Sequence, residues 1–200
     1  MSSCGGIILC GGESTRMGRS KAWLPFGPEP MLARVVRIVS EVTAPVVVVA
    51  ARGQDLPPLP PDVEIACDEY ESLGPLAGLA AGLAALRGRA EAAYVSSCDV
   101  PLLRPEFVRQ IIASLGEYDL AIPRDAAHRH PLAAVYRLSL ETTIRERIAQ
   151  NRLRLVDLPD HCRAREIDIA DLRQADPELH SLQNTNTPAD YAAALKTAGF

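Results

Sequence analysis

The stretch LCGGESTRMGRSK, from Leu9 to Lys21, sets glycines and cations behind a short apolar run. Gly11 and Gly12 can offer bare backbone N–H groups, and Arg16, Arg19 and Lys21 add positive charge within a few residues. That combination suits the different phosphates of one ligand. The spacing excludes two common phosphate loops. A Walker loop needs adjacent Gly-Lys-Ser/Thr, whereas Gly18 is followed by Arg19, Ser20 and only then Lys21; a dinucleotide fingerprint needs alternate glycines, and Gly11 and Gly12 are neighbours. Further on, Asp99 follows the run AAYVSSC and is backed by Val100-Pro101. A carboxylate held in this way can bind a divalent cation that also takes phosphate oxygens, or it can cap a turn. Asp68 follows VEIAC in the same manner and can accept from the N–H groups of a base, accept from ribose hydroxyls, stand just outside a metal's ligands, or simply be solvated. Asn184 and Asn186, in NTNTP, are neutral donor–acceptor groups or an asparagine turn entering the last helix.

Positioning these residues requires strands that end beside one another. Short apolar runs alternate with helix-period segments: GIIL from Gly6, a helix from Met31, VVVVAA from Val46, VEIAC from Val63, the helix GPLAGLAAGLAALRG, AAYVSSC from Ala92, the helix RPEFVRQIIASLG, and DLAIP from Asp119. This rhythm predicts a mostly parallel sheet covered on both faces. Ligands of such sheets sit outside the carboxyl ends of the strands, which points to Gly11–Lys21, Asp68, Asp99 and the loop reaching His130. After Pro123 the expected elements are a strand at LAAVY, a helix from Leu140 to Gln150, strands at RLVDL and REIDI, and a last helix capped by Thr187 with Pro188 at its first position. In GPLAGLAAGLAAL the leucines fall on one helical stripe. Gly74, Gly78 and Gly82 form a second, which implies close approach of either a flat ligand or a neighbouring backbone.

With 200 residues, 48% of them apolar, and a net charge of −4, the chain fits one ordinary globular domain over residues 1–200 and not a dedicated nucleic-acid binder. Phosphate binding must then be organised locally. Five cysteines without a C-x-x-C pair fit a reducing compartment better than a disulfide framework or zinc site. The apolar stretch Pro75–Leu86 is too short and glycine-rich to span a bilayer, and the N-terminus has no signal-peptide pattern, so a cytoplasmic protein is expected.

The order Gly11-Gly12-x-Ser14-x-Arg16-Met17-Gly18-x-x-Lys21 resembles the signature loop of nucleotidyltransferases with a glycosyltransferase-A-like fold. Together with GPLAGL from Gly74, CDVP from Cys98, HPLAAV from His130 and NTNTP from Asn184, it makes the chain similar to the molybdenum cofactor guanylyltransferases, the MobA family. The resemblance implies a three-layer α/β/α Rossmann-like fold and transfer of GMP from GTP to the terminal phosphate of molybdopterin, giving the guanine dinucleotide cofactor and pyrophosphate. By the same resemblance Lys21, Arg16 and Asp99 carry catalysis, with Asp99 binding Mg2+. Leu9, Cys10, Gly11, Gly12, Lys21, Asp68, Gly74 and Asp99 contact GTP, and Asn184, Asn186 and His130 face the acceptor. GTP and molybdopterin are the expected partners of a monomer, with transient contacts to molybdopterin-handling proteins and molybdoenzyme chaperones, and neither nucleic acid nor membrane. Two departures stand out. Ala51 occupies a place where the family often has asparagine, and Ser14-Thr15 replace more basic residues of some relatives. The rival readings are cytidylyl transfer to the same acceptor, transfer to a sugar or isoprenoid phosphate, and a non-catalytic nucleotide sensor.

Overall fold

The computed structural model describes residues 3–11, 20–68 and 73–200. Strand β1 (Cys4–Leu9) is buried from Gly5 onward. After Lys21 a small antiparallel hairpin, β2 (Pro25–Phe26) with β3 (Glu29–Pro30), leads into α1 (Met31–Ser40). There follow β4 (Val46–Ala50), β5 (Glu64–Cys67), α2 (Pro75–Ala85), β6 (Ala92–Ser97) and α3 (Pro105–Ala113). The last third holds β7 (Leu120–Arg124), β8 (Ala133–Arg137), α4 (Leu140–Ala149), β9 (Ala164–Asp168), the single-turn α5 (Ile169–Leu172) and α6 (Pro188–Ala198).

The large sheet has seven strands in the order β5-β4-β1-β6-β8-β7-β9. All pairings are parallel except those of β8, which runs antiparallel to both β6 and β7. The mostly parallel sheet expected from the alternation is therefore present. Alternate residues of each strand feed opposite faces. Ile8, Val48, Tyr94 and Val135 pack with residues of α1 and α3 on one side, and Ile7, Val47, Val95 and Tyr136 with residues of α2 and α4 on the other. Helix α1 buries Met31, Leu32, Val35, Val36, Ile38 and Val39, a stripe at helical spacing. Burying such side chains stabilises the chain by roughly 1.5–3 kcal/mol each.

Helix α2 resolves the double stripe. Leu76, Leu79, Leu83 and Leu86 are fully buried. A Cβ added at Gly82 would lie 2.6 Å from Ile7 Cγ2, and one at Gly78 would lie 3.4 Å from Leu9 Cδ2. Gly82 thus lets the helix settle directly on β1, Gly78 would carry a Cβ in ordinary contact with Leu9, and the neighbouring strand is the flat partner. Gly74 differs: its φ of 74° is left-handed, it has open space around it, and Pro75 follows at the first helical position.

The expected strand at RLVDL is not one. Arg154 precedes a 3-10 helix over Leu155–His161 that contains Pro159. Leu155 and Leu158 are buried three residues apart, the period of a 3-10 turn, and Pro159 has no N–H to give a ladder. REIDI does supply a strand, β9, which pairs with β7 over Leu120↔Ala164 to Arg124↔Asp168. At the C-terminus the cap read from sequence is completed: Thr187 accepts from Asp190 N, and the Asp190 carboxylate accepts from Thr187 N at 2.8 Å. Tyr191, on the same helix, donates its hydroxyl to Pro25 O and ties α6 to the small hairpin.

Candidate active site

The parallel strands β5, β4, β1 and β6 end on one side of the sheet, so the segments that follow them meet there. The register pairs Leu9 with both Val49 and Ser97, and Ala50 with Cys67. Cys10 N then donates to Val49 O at 2.8 Å, Asp68 N to Ala50 O at 2.9 Å, and Cys98 N to Leu9 O at 3.1 Å, which extends the ladder by one step beyond each strand. Cys10 and Cys98 are buried. The neighbouring Cys10 thiol and burial push the Cys98 thiol well above its usual range.

Lys21 opens a short 3-10 turn, Lys21–Trp23, anchored by buried Ala22. Its ammonium donates to Asp99 Oδ2 at 2.7 Å and to Asn186 Oδ1 at 2.8 Å. The other oxygen of Asp99, Oδ1, accepts from the Ser97 hydroxyl at 2.6 Å and from Asn184 Nδ2 at 2.7 Å. Asn184 Nδ2 also reaches Ser97 Oγ at 3.1 Å. The Asp99 carbonyl accepts from Thr185 N at 2.8 Å and from the Thr185 hydroxyl at 3.0 Å, which fixes the NTNTP segment against the end of β6. The Asp99 side chain is only 11% exposed and that of Lys21 only 17%. An ion pair so shielded from water is felt more strongly than a surface pair.

These contacts gather Lys21, Asp99, Asn184 and Asn186 into one constellation, with Leu9, Cys10 and Gly11 on the neighbouring strand end. Asn184 is hydrogen-bonded to Asp99 itself, while Asn186 reaches Lys21. Asp68 lies further out along the same edge, beyond the end of β5, and Gly74 lies at the start of α2. Gly12 and Arg16 lie outside the described residues. His130 is held within its own loop: Nε2 is 3.0 Å from Asp125 Oδ2 and its N–H donates to Pro123 O at 2.8 Å. The hydrogen bonds described for His130 do not extend to the constellation.

Ser97, Thr185 and Gln54 escaped the sequence reading. Gln54 Oε1 accepts from Ala51 N at 3.0 Å, and Nε2 donates to Cys10 O at 3.0 Å, so its amide joins the segments that follow β1 and β4. The weak signal for Ser97 was its position two residues before Asp99 at the end of a strand, which puts both on one side of the chain. Thr185 and Gln54 carry ordinary loop chemistry, and nothing local distinguishes them.

A carboxylate oxygen that already holds a cation, set beside the Asn184 and Asn186 amides, can hold a metal–phosphate group. Lys21 Nζ, at 2.7 Å from Asp99 Oδ2, stands where a divalent cation could sit, and the hard oxygen donor suits magnesium. Among the described residues no group of three or more His, Cys, Asp or Glu side chains could form an all-protein metal cage, so much of the coordination would come from ligand oxygens and water.

Residues 6–160 match the MobA-like NTP transferase domain. The chain is 36% identical over 199 residues to a Mycobacterium marinum protein named "Probable molybdenum cofactor guanylyltransferase", covering 97% of this chain and 94% of that one. A Pelotomaculum thermopropionicum protein of the same name is 35% identical over 191 residues, covering 94% and 90%. Among solved structures, molybdopterin-guanine dinucleotide biosynthesis protein A from Archaeoglobus fulgidus superposes with a TM-score of 0.79 at 22% identity, over 97% of this chain and 98% of that one. That structural likeness speaks for the fold, and the sequence matches for the lineage. With a family match over most of the chain and relatives above 30% identity over nearly all of it, the chain belongs to the MobA-like NTP transferase family.

Proposed function

We propose that the chain transfers GMP from GTP to the terminal phosphate of molybdopterin, forming the guanine dinucleotide cofactor and releasing pyrophosphate. The observation that carries this reading is the Lys21–Asp99 pair at the carboxyl ends of β1 and β6, in a chain related over nearly its whole length to named guanylyltransferases. The chemistry asks little of a general base. A phosphate monoester, with its second pKa of about 6, is already ionised at neutral pH. What remains is alignment for in-line attack on the α-phosphate and neutralisation of charge on the triphosphate and the leaving pyrophosphate.

The residues divide that work. Among the described residues Lys21 bonds Asp99 and Asn186, and a further donor of its ammonium can meet a phosphate oxygen. The N–H groups of Gly11 and Gly12 are suited to approach the nucleotide, and Arg16 adds a second positive charge. Asp99 Oδ2 would hold Mg2+, which when bound supplies Lewis-acid polarisation of the phosphate oxygens. Asn184 and Asn186 are exposed and bonded to Asp99 and Lys21, so an acceptor phosphate or pterin edge can reach them, and Asp68 contributes on the nucleotide side. His130, held in its own loop by Asp125, would orient the acceptor. We take GTP and molybdopterin as the partners, the cytoplasm as the compartment, and residues 1–200 as a single nucleotidyltransferase domain acting as a monomer.

The test is pyrophosphate release by the purified chain with molybdopterin and magnesium, comparing GTP with CTP. Preference for GTP is the expected outcome. Preference for CTP would replace guanylyl by cytidylyl transfer, and GTP binding without magnesium-dependent pyrophosphate release would make the chain a nucleotide sensor.

A further inference from the structure

Asp99 does not meet its surroundings evenly. Among the described residues, Oδ1 accepts from two neutral donors, the Ser97 hydroxyl at 2.6 Å and the Asn184 amide at 2.7 Å, while Oδ2 meets the Lys21 ammonium alone. The direction of the Ser97 bond is set by its other contact. Because Ser97 Oγ accepts from Asn184 Nδ2 at 3.1 Å, its single proton is directed to Asp99. At 2.6 Å this is a short, charge-assisted O–H···O bond, and Ser97 is buried with 8% exposure, so water competes little for either partner.

Orientation is the issue because the last torsion of an aspartate is broad and roughly two-fold. Left alone, the Asp99 carboxylate could exchange its oxygens or tilt out of line with an incoming ion. Ser97 is the last residue of β6, fixed in register against Leu9, so its hydroxyl is delivered by the rigid sheet and not by a loop. Asn184, by contrast, comes from an exposed segment 85 residues away.

We propose that Ser97 is a positioning residue for the transfer reaction: with Asn184 it clamps Oδ1 of Asp99 and thereby presents Oδ2 as the one oxygen open to the nucleotide-bound divalent cation. In the free chain the Lys21 ammonium fills that seat, and it is free to move to phosphate once the cation arrives. The inference rests on the reading of Asp99 as the residue that meets the metal.

The experiment measures Mn2+ binding by the full chain, from the electron paramagnetic resonance signal of the free ion, in the presence of a non-hydrolysable GTP analogue. Ser97→Ala should raise the Mn2+ dissociation constant about 10–100-fold, the range found when a partner orienting a metal ligand is lost. Ser97→Thr, which keeps the hydroxyl on a residue suited to a strand, should return it to near the native value. Affinity for the analogue without metal should not change. A Ser97→Ala chain that binds Mn2+ as tightly as the native one, while Asp99→Asn loses it, overturns the role of Ser97 and leaves Asp99 standing. Tight Mn2+ binding by Asp99→Asn overturns the reading of Asp99 and this inference with it. If Ser97→Ala does not fold, Ser97→Cys carries the same test, since a thiol is a weak donor; native Mn2+ affinity in that variant would equally overturn the proposal.

Discussion

Two charged networks, one following the central strand β6 and one at the β7–β9 edge of the same sheet, are built differently. Around Asp99 one cation and one anion meet, each shielded from water, and among the described residues the other side-chain partners of the pair are neutral: Ser97, Asn184 and Asn186. Around β7 and β9 the ions close on one another. Arg129 bonds Glu166 at 2.7 Å and Asp160 at 2.8 Å, Glu166 also takes Arg124 at 2.5 Å, and the side chains of Asp160 and Arg124 are 57% and 55% exposed. The second network is self-compensated and gives each charge little reason to leave. The first leaves a single exchangeable pair, since the neutral amides that support it cost little to re-pair when another cation or a phosphate arrives. The difference separates a site prepared for ligands from a latch that closes a fold.

Lys21→Ala tests the contrast most severely. Removing one aimed donor from a developing phosphate charge costs about 10²–10³ in kcat, and the KM for the acceptor should change far less. Steady-state pyrophosphate release reads both, and unchanged turnover would remove Lys21 from the mechanism. Asn186→Ala deletes a hydrogen bond to a charged group, worth about 1.5 kcal/mol, so kcat/KM should fall by roughly tenfold. An effect as large as that of Lys21→Ala would show that Asn186 touches substrate and does more than hold the ammonium.

Arg129→Ala should give the opposite pattern. The loss of its contacts with Glu166, Asp160 and Val156 O should lower stability by on the order of 1–2 kcal/mol, a Tm change of a few degrees, with turnover within about twofold of native. A large loss of turnover at unchanged Tm would make the β7–β9 network part of the active site. The smallest effect concerns pH. The N–H groups of Ala127 and His128 hold the Asp125 carboxyl at about 2, below its ordinary 3.8. A depressed carboxyl stabilises the folded state above its unfolded pKa and loses that contribution as pH falls through the folded value. The Tm of the native chain should therefore drop slightly more steeply than that of Asp125→Asn between about pH 4 and about pH 2, as read by thermal scans.

Much of the molecule was legible before folding. The strands of the sheet's first half and helices α1, α2, α3, α4 and α6 follow from apolar period, caps and prolines, because each signal is local. The strand expected at RLVDL failed for an equally local reason that periodicity masks: apolar residues spaced by two and by three overlap in so short a segment, and Pro159 decides between them. The hairpin of β2 and β3 went unread because two-residue strands carrying Pro25 and Pro30 have no pattern to detect. Of the site, Lys21, Asp99, Asn184 and Asn186 were named from the sequence. Ser97, Thr185 and Gln54 were not, because a serine, threonine or glutamine acquires its role only from the partner that folding brings to it.

The sequence by itself determined the layers of the fold and which residues carry charge at the carboxyl ends of its strands, since burial period and turn chemistry act over a few residues. Tertiary structure alone decided that Lys21 meets Asp99 across 78 positions and Asn186 across 165. It also decided that Asn184 and Ser97 share one oxygen of Asp99, and that Gly82 of α2 serves close packing on β1. The physical reason is the parallel sheet: it stacks strands distant in sequence in register, so contacts at their ends are set by strand order, which no local stretch encodes.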